Sequence, residues 1–250
     1  MIAFITGATA GIGKASAEIF AKNGYDLVIT GRRKERLQIL AKELITAYNN
    51  NVHTLCFDVR KADEVKANIV SLPAEFKNID VLINNAGLSS GLSTLQEGTT
   101  ADWDVMIDTN VKGLLYITRQ IAELMIARKK GHIINMGSIA GKEVYPNGNV
   151  YCATKFAVDA LTKAMRIEML PHNIKVSSVN PGMVETEFSI VRFHGDEDRA
   201  KKVYEGIQPL VAQDIAETIY WIASRPPHVN INEVVIMPTA QANTTTLIRK

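Results

Sequence analysis

Short runs with continuously apolar centres alternate along this chain with longer stretches in which apolar residues recur every three or four positions. The runs are IAFIT (2–6), YDLVIT (25–30), VHTLCF (52–57), DVLIN (80–84), HIINMG (132–137), IKVSSVN (174–180) and EVVIM (233–237). A strand with one wet face would alternate apolar and polar residues; these do not, so helices are expected to cover both faces. The helical stretches fall near 12–23, 33–47, 61–71, 102–129, 150–170 and 212–224, with Gly24 and Pro171 as stop signals after the first and fifth. Strand–helix alternation repeated this often implies right-handed βαβ crossovers and an α/β fold with a doubly wound parallel sheet of seven strands.

One segment breaks the rhythm. Residues 182–210 form a long connection after the sixth run, at the carboxyl end of the sheet. Open α/β sheets take their ligands at that edge, so this segment is expected to be a substrate loop. No repeat, low-complexity tract or linker divides the chain, and one domain over 1–250 is expected.

Composition narrows the function classes. The 250 residues are 46% hydrophobic and 22% charged, which excludes a disordered or collagen-like chain. With 28 basic and 26 acidic side chains the net charge is +2, and there is no basic tail, so neither nucleic acid nor an anionic membrane is an expected partner. No apolar run reaches the roughly 18 residues that span a bilayer. The start MIAFITGATAGIG lacks the basic region and cleavage site of a signal peptide, so a cytoplasmic location is expected. Cys56 and Cys152 form no CxxC pair and read as free thiols, and no metal-ligand spacing is present.

The chemistry begins at TGATAGIG (6–13), between the first run and the first helix. Gly7, Gly11 and Gly13 let backbone N–H groups approach a pyrophosphate at a helix N-terminus. Such glycines alone mark only a tight turn; the strand–turn–helix setting points to a dinucleotide. An NAD site places an acid at the end of the second strand. Here that strand ends Thr30-Gly31-Arg32-Arg33, and Asp26 lies at the wrong end. Arg32, Arg33, Lys34 and Arg36 crowd a helix start, where positive charge opposes the macrodipole. A 2′-phosphate bound by arginine accounts for them, so NADP is the expected cofactor.

Tyr151 and Lys155 are four apart on an expected helix and share a face. The spacing alone is a weak signal; Ser138, just after the fifth run, adds a hydroxyl at the same sheet edge. An adjacent ammonium favours the phenolate of a tyrosine, which suits proton transfer by Tyr151 during hydride transfer at a carbonyl, with Ser138 holding the oxygen. Asn110 sits in IDTNVKG with Gly113, poor helix chemistry in mid-helix; taken alone, Asn110 reads as a satisfied polar residue. Asp58 follows the third run, placed either to reach an adenine or to cap the next helix.

Together these residues resemble the short-chain dehydrogenase/reductase family over essentially the whole chain. TGATAGIG is similar to the family's glycine motif, which brings in Thr9 and Ile12. NNAG (84–87) matches its fourth-strand motif, Asn110, Ser138, Tyr151 and Lys155 its catalytic tetrad, and Pro181-Gly182 with Val184 and Thr186 its nicotinamide-side loop. The resemblance implies a Rossmann sheet in the order 3-2-1-4-5-6-7. It places Lys155 on the nicotinamide ribose, Asp58 and Val59 facing the adenine, and Asn85 on the adjacent ribose with Ala86 and Gly87 beside it. Asn110 would hold a water that relays protons from Lys155. Ala10 departs from the basic residue that many NADP-using members carry there, so the NADP assignment rests on Arg32 and Arg33.

Within the family the chain looks like the NADP-dependent 3-hydroxy acid dehydrogenases, which include serine and allo-threonine dehydrogenases, in stretches such as ITGRRKERL, EFSIVRFHGD and PPHVNINEVVIMPTAQA. A small-molecule 3-hydroxy acid then needs a cation for its carboxylate. Arg192 is the candidate, against a surface salt bridge with Asp196 or Glu197, and Tyr145 and Met183 line the pocket by analogy. A broader carbonyl, diketone or sepiapterin-like reductase is the alternative, and a non-catalytic NADP-binding regulator the remote one. The long helices at 102–129 and 150–170 resemble those that pair between subunits in the family, which implies a homotetramer or homodimer.

Overall fold

The computed structural model describes residues 1–250. Its strands are β1 (Ile2–Ile5), β2 (Asp26–Gly31), β3 (Val52–Cys56), β4 (Ile79–Asn84), β5 (Gly131–Met136), β6 (Ile174–Pro181), β7 (Val184–Glu185), β8 (Leu210–Val211) and β9 (Glu233–Ile236). Seven of them form one sheet in the order β3-β2-β1-β4-β5-β6-β9, every neighbouring pair parallel. This is the expected order, with β9 as the seventh strand. The short parallel ladder of β7 with β8 was not anticipated. It joins the two ends of the 182–210 segment, so that segment is a structured excursion with a closed base.

The helices are α1 (Gly11–Lys22), α2 (Lys34–Tyr48), α3 (Ala62–Val70), α4 (Thr100–Ile107), α5 (Leu114–Arg128), α6 (Asn149–Met169), α7 (Phe188–Arg192), α8 (Glu197–Lys202) and α9 (Ala212–Ala223). Successive strand residues point to opposite faces. Phe4, Val28, Leu82 and Ile133 therefore face α3, α5 and α6 through Val65, Ile117 and Val158. Ile5, Ile29, Ile83 and Ile134 face α1, α2 and α9 through Phe20, Leu40 and Ile219. Two buried layers of this kind explain why the strands read as unbroken apolar runs. No helix is long and apolar enough to cross a membrane.

Two features tie the core to the carboxyl edge. Asn84 Nδ2, at the end of β4, donates to Thr118 Oγ1 at 2.8 Å and to Asn135 Oδ1 at 2.9 Å, and Asn135 Nδ2 donates to Thr162 Oγ1 at 2.9 Å. This buried network fixes β4 and β5 to α5 and α6. The helix expected over 102–129 is also not uniform: Asp108–Gly113 is a π turn between α4 and α5. A Cβ at Gly113 would lie 2.8 Å from Val59 Cγ2, so the helix passes against the segment after β3 where only glycine fits. Such turns insert one residue and redirect side chains.

Candidate active site

A cleft of about 620 Å³ opens along the carboxyl ends of the strands, within the roughly 300–1,000 Å³ of small-molecule sites. Of the residues expected to be catalytic or to bind cofactor or substrate, it gathers all but Gly13 and Asn110; Lys34 and Arg36 of the basic cluster also lie outside its lining.

At one end lies the glycine turn. Gly7 and Gly11 have φ of +68° and +51°, and a Cβ on Gly13 would run into the Gly7 carbonyl oxygen. The turn is locked from behind: Asn85 Nδ2 donates to the carbonyls of Thr6 (2.9 Å) and Gly7 (3.2 Å), and Thr6 Oγ1 accepts from the backbone N–H groups of Asn85 and Ala86. The amide nitrogen of Asn85 thus serves the turn, while the residue itself lines the cleft. The first turn of α1 carries no acidic residue, and its N-cap, Ala10, supplies no side-chain acceptor. Its N–H groups are left for an external anion, which is what a dinucleotide pyrophosphate requires.

Beside this turn Arg33 donates from Nε (3.0 Å) and Nη2 (2.8 Å) to Thr9 Oγ1. Its Nη1 pairs with Glu187 Oε2 at 2.8 Å, and Arg36 Nη1 pairs with Glu187 Oε1 at 2.8 Å. Glu187 was not among the expected site residues; nothing in local sequence links it to arginines more than 150 positions earlier. Arg32 also lines the cleft. Asp58 caps no helix, since Lys61 is the N-cap of α3. Its carboxylate instead accepts both the side chain and the backbone N–H of Arg60. Burial pushes this acid up, but the hydrogen bonds from Arg60 outweigh it and hold the group below its ordinary value.

At the other end α6 presents Tyr151 and Lys155. Lys155 Nζ donates to the Met136 carbonyl at 2.8 Å and lies 5.9 Å from the centre of the Tyr151 ring. Burial lowers its pKa to about 8. Tyr151 is also buried, which raises its pKa; Tyr145 adds to the rise, while Arg192 and Ser138 oppose it. Among the protein's own groups, then, burial outweighs Arg192 and Ser138 and holds Tyr151 above its ordinary value. Ser138 Oγ accepts the Ala140 N–H at 3.1 Å, so its own hydrogen remains available to a ligand.

Asn110 lies in the π turn, 2% exposed. Its Nδ2 donates to Leu88 O (2.8 Å) and Thr154 Oγ1 (3.0 Å), and its Oδ1 accepts the Leu88 N–H at 2.8 Å. Thr154 Oγ1 donates in turn to Tyr151 O at 2.8 Å. Asn110 therefore clamps the segment after β4 to the helix that carries Tyr151, and the irregular turn is what aims it there.

The 182–210 segment supplies the far wall. Arg192, at the end of α7, donates from Nη2 to Tyr145 Oη at 3.0 Å, and its guanidinium stands 5.4 Å from the Tyr151 ring centre and 5.0 Å from that of Phe188. Neither Asp196 nor Glu197 pairs with it, and its buried Nε has no acceptor in the protein. A cation so placed, short of acceptors and beside a buried phenol, has donors to offer an anionic group. Met183 N–H donates to Gln241 Oε1 at 2.9 Å, which brings the C-terminal residues into the wall. Phe188, Thr154 and Gln241 were missed by sequence reasoning, because each owes its place to tertiary packing alone. No group of three or more His, Cys, Asp or Glu side chains is disposed to hold a metal ion.

Comparison with known proteins agrees with this geometry. A profile of the family described as short chain dehydrogenase matches residues 1–196. An NADP-dependent 3-hydroxy acid dehydrogenase of Salmonella typhi is 46% identical over 97% of this chain and 96% of its own. A serine 3-dehydrogenase of Agrobacterium fabrum is 41% identical over 95% of this chain and 94% of its own. Among solved structures, the closed form of a serine dehydrogenase complexed with NADP+ superposes with a TM-score of 0.93 at 41% identity, each chain covered in full.

Proposed function

The chain belongs to the short-chain dehydrogenase family, and on that premise we propose that it is an NADP-dependent oxidoreductase interconverting a short 3-hydroxy acid and its 3-oxo form. The observation that carries the substrate class is Arg192, an unpaired guanidinium beside Tyr151 in the cleft. When bound, the nicotinamide of NADP supplies or accepts the hydride.

The residues then divide the work. The glycine turn with the N-terminus of α1 receives the pyrophosphate, and Arg32 and Arg33 receive the 2′-phosphate. Pro181, Gly182, Val184 and Thr186 flank the nicotinamide end, while Val59, Ala86 and Gly87 line the intervening wall. Ser138 donates to the substrate oxygen, and Tyr151 gives that oxygen its proton on reduction or removes it on oxidation. Lys155, with a pKa of about 8, exchanges that proton and holds the ribose, with Asn110 fixing the frame around it. Arg192 draws the substrate carboxylate away from the hydride path, so that only the hydroxyl-bearing carbon faces Tyr151.

The chain is read as one domain over 1–250, because its seven sheet strands run from residue 2 to 236. Two unpaired cysteines support a reducing, cytoplasmic setting. Exposed apolar side chains at Leu115, Phe156 and Ile167 on α5 and α6 support a homotetramer or homodimer, which sedimentation would test.

Steady-state rates with NADP and NAD across serine, allo-threonine, 3-hydroxypropionate, 3-hydroxybutyrate and a diketone decide the reading. NADP with the hydroxy acids is expected to dominate. Equal rates with both cofactors would remove the arginine argument, a preference for the diketone would favour a general carbonyl reductase, and no turnover would favour a binding regulator.

A further inference from the structure

We propose that Glu187 is a positioning residue that couples the cofactor-side arginines to Arg192 on the substrate side. The inference deepens the reading of Arg192 given above and rests on it for its catalytic consequence. Glu187 directly precedes α7, and each of its oxygens serves a different guanidinium, Arg33 and Arg36, at the start of α2. Arg33 turns its other edge, Nε and Nη2, to the neutral hydroxyl of Thr9 in the glycine turn. A phosphate dianion is a much stronger acceptor than a hydroxyl, so a 2′-phosphate takes that edge while Nη1 stays on Glu187. Loading the cofactor thus fixes Arg33 from both sides and holds the start of α7 with it.

From Glu187 the linkage is short. Phe188 meets the Tyr151 ring edge-on at 5.6 Å, and Arg192 ends the same five-residue helix over that ring. The far end is tied as well: Arg192 O accepts the Gly91 N–H at 2.9 Å, and His194 Nε2 stands 3.4 Å from Asp102 Oδ1. A helix of one and a half turns has no slack to absorb a shift at Glu187, so the shift reaches Arg192. The side chains of Arg33, Arg36 and Glu187 are 42%, 50% and 43% exposed. Pairs this open add little to folding stability, which leaves placement of α7 as their role.

The test uses purified full-length protein, with NADP+ as the probe. Backbone amide exchange across 187–194 is followed in wild type and Glu187→Gln, with and without NADP+. NADP+ is expected to slow exchange in α7 roughly ten-fold in wild type and much less in the variant, in the range of ordinary site–site coupling. Glu187→Gln is also expected to raise KM for 3-hydroxybutyrate roughly ten-fold with kcat nearly unchanged, and to leave KM for a diketone alone. Arg36→Gln should repeat this split, and the double variant should add little to either single one. Equal protection of α7 in both proteins would overturn the proposal. So would an equal KM rise for both substrates, or an unchanged 3-hydroxybutyrate KM in Glu187→Gln where Arg192→Ala raises it. If protection differs while Arg192→Ala leaves the 3-hydroxybutyrate KM unchanged, the link at Glu187 stands and the carboxylate role of Arg192 falls.

Discussion

Arg192 lays its guanidinium over the ring of Tyr151, 5.4 Å from its centre, with one nitrogen on the Tyr145 hydroxyl and a buried Nε left without an acceptor. Two residues 41 positions apart in the chain thereby set a guanidinium with a free nitrogen beside a buried phenol.

Removing the guanidinium should therefore separate substrates by charge. Arg192→Ala is expected to raise KM for 3-hydroxybutyrate about 10- to 100-fold, the worth of a hydrogen bond to a charged group at about 1.5–3 kcal/mol, and to leave a neutral diketone nearly unaffected. Equal losses on both would mean that Arg192 only braces the wall.

Tyr151→Phe keeps the ring packed against Phe188 and removes only the hydroxyl. Its kcat should fall about 10²- to 10⁴-fold with every substrate, while NADP+ binding and melting temperature stay close to wild type. Wild-type turnover in this variant would assign the proton to another group.

Lys155 should titrate well below the ordinary lysine value. Burial disfavours its ammonium and lowers its pKa to about 8, so it is charged below that pH and neutral above it. Carbon-13 NMR of lysine side chains in the cofactor-free protein is expected to show one midpoint near 8 that disappears in Lys155→Met. A spectrum with no midpoint near 8, or one whose midpoint persists in Lys155→Met, contradicts this.

The strands, the glycine turn and the Tyr151–Lys155 pair were legible in the sequence because each depends on residues close together in the chain, whereas the order of the strands came from the family resemblance. Apolar period, turn glycines and i,i+4 spacing are local signals. Glu187 was invisible for the opposite reason: its partners Arg33 and Arg36 reach it only when α2 and α7 meet over the cleft. The π turn was half legible. Asn110 and Gly113 marked a weak helix, but the cause, the approach of Gly113 to Val59, is a tertiary contact. Arg192 stood between two readings until the structure showed that Asp196 and Glu197 leave it free.

Acid stability offers a test away from the cleft. His132 is buried on β5, with Nε2 at 2.8 Å from Ser177 Oγ of β6 and no partner for Nδ1. Burial, aided by Lys175, lowers its pKa from 6.5 to about 3. Above pH 6.5 both folded and unfolded chains hold it neutral and it contributes nothing. Below that, only the unfolded chain takes the proton, so stability falls by about 1.4 kcal/mol per pH unit until near pH 3. Urea unfolding between pH 7 and 4 should show this slope in wild type and a shallower one in His132→Gln; parallel slopes would refute it.

Gly13→Ala should report on the cofactor turn, since its Cβ would meet the Gly7 carbonyl. The forced backbone shift, at about 1–3 kcal/mol, is expected to lower the melting temperature and weaken NADP+ binding more than 3-hydroxybutyrate binding. Unchanged NADP+ affinity in a calorimetric titration would show that the turn does not shape that site.

The π turn at Asp108–Gly113 gives this stretch a constraint on length as well as on residue identity. Because the turn holds one residue more than a regular helix, deleting one residue here would leave α4 and α5 as one continuous α-helix without the irregularity that aims Asn110. Asn110 would then swing away from Leu88. Surface loops between strands and helices absorb insertions and deletions with little effect. This helix, although it looks like the more robust element, should accept many substitutions yet reject a change of a single residue in its count.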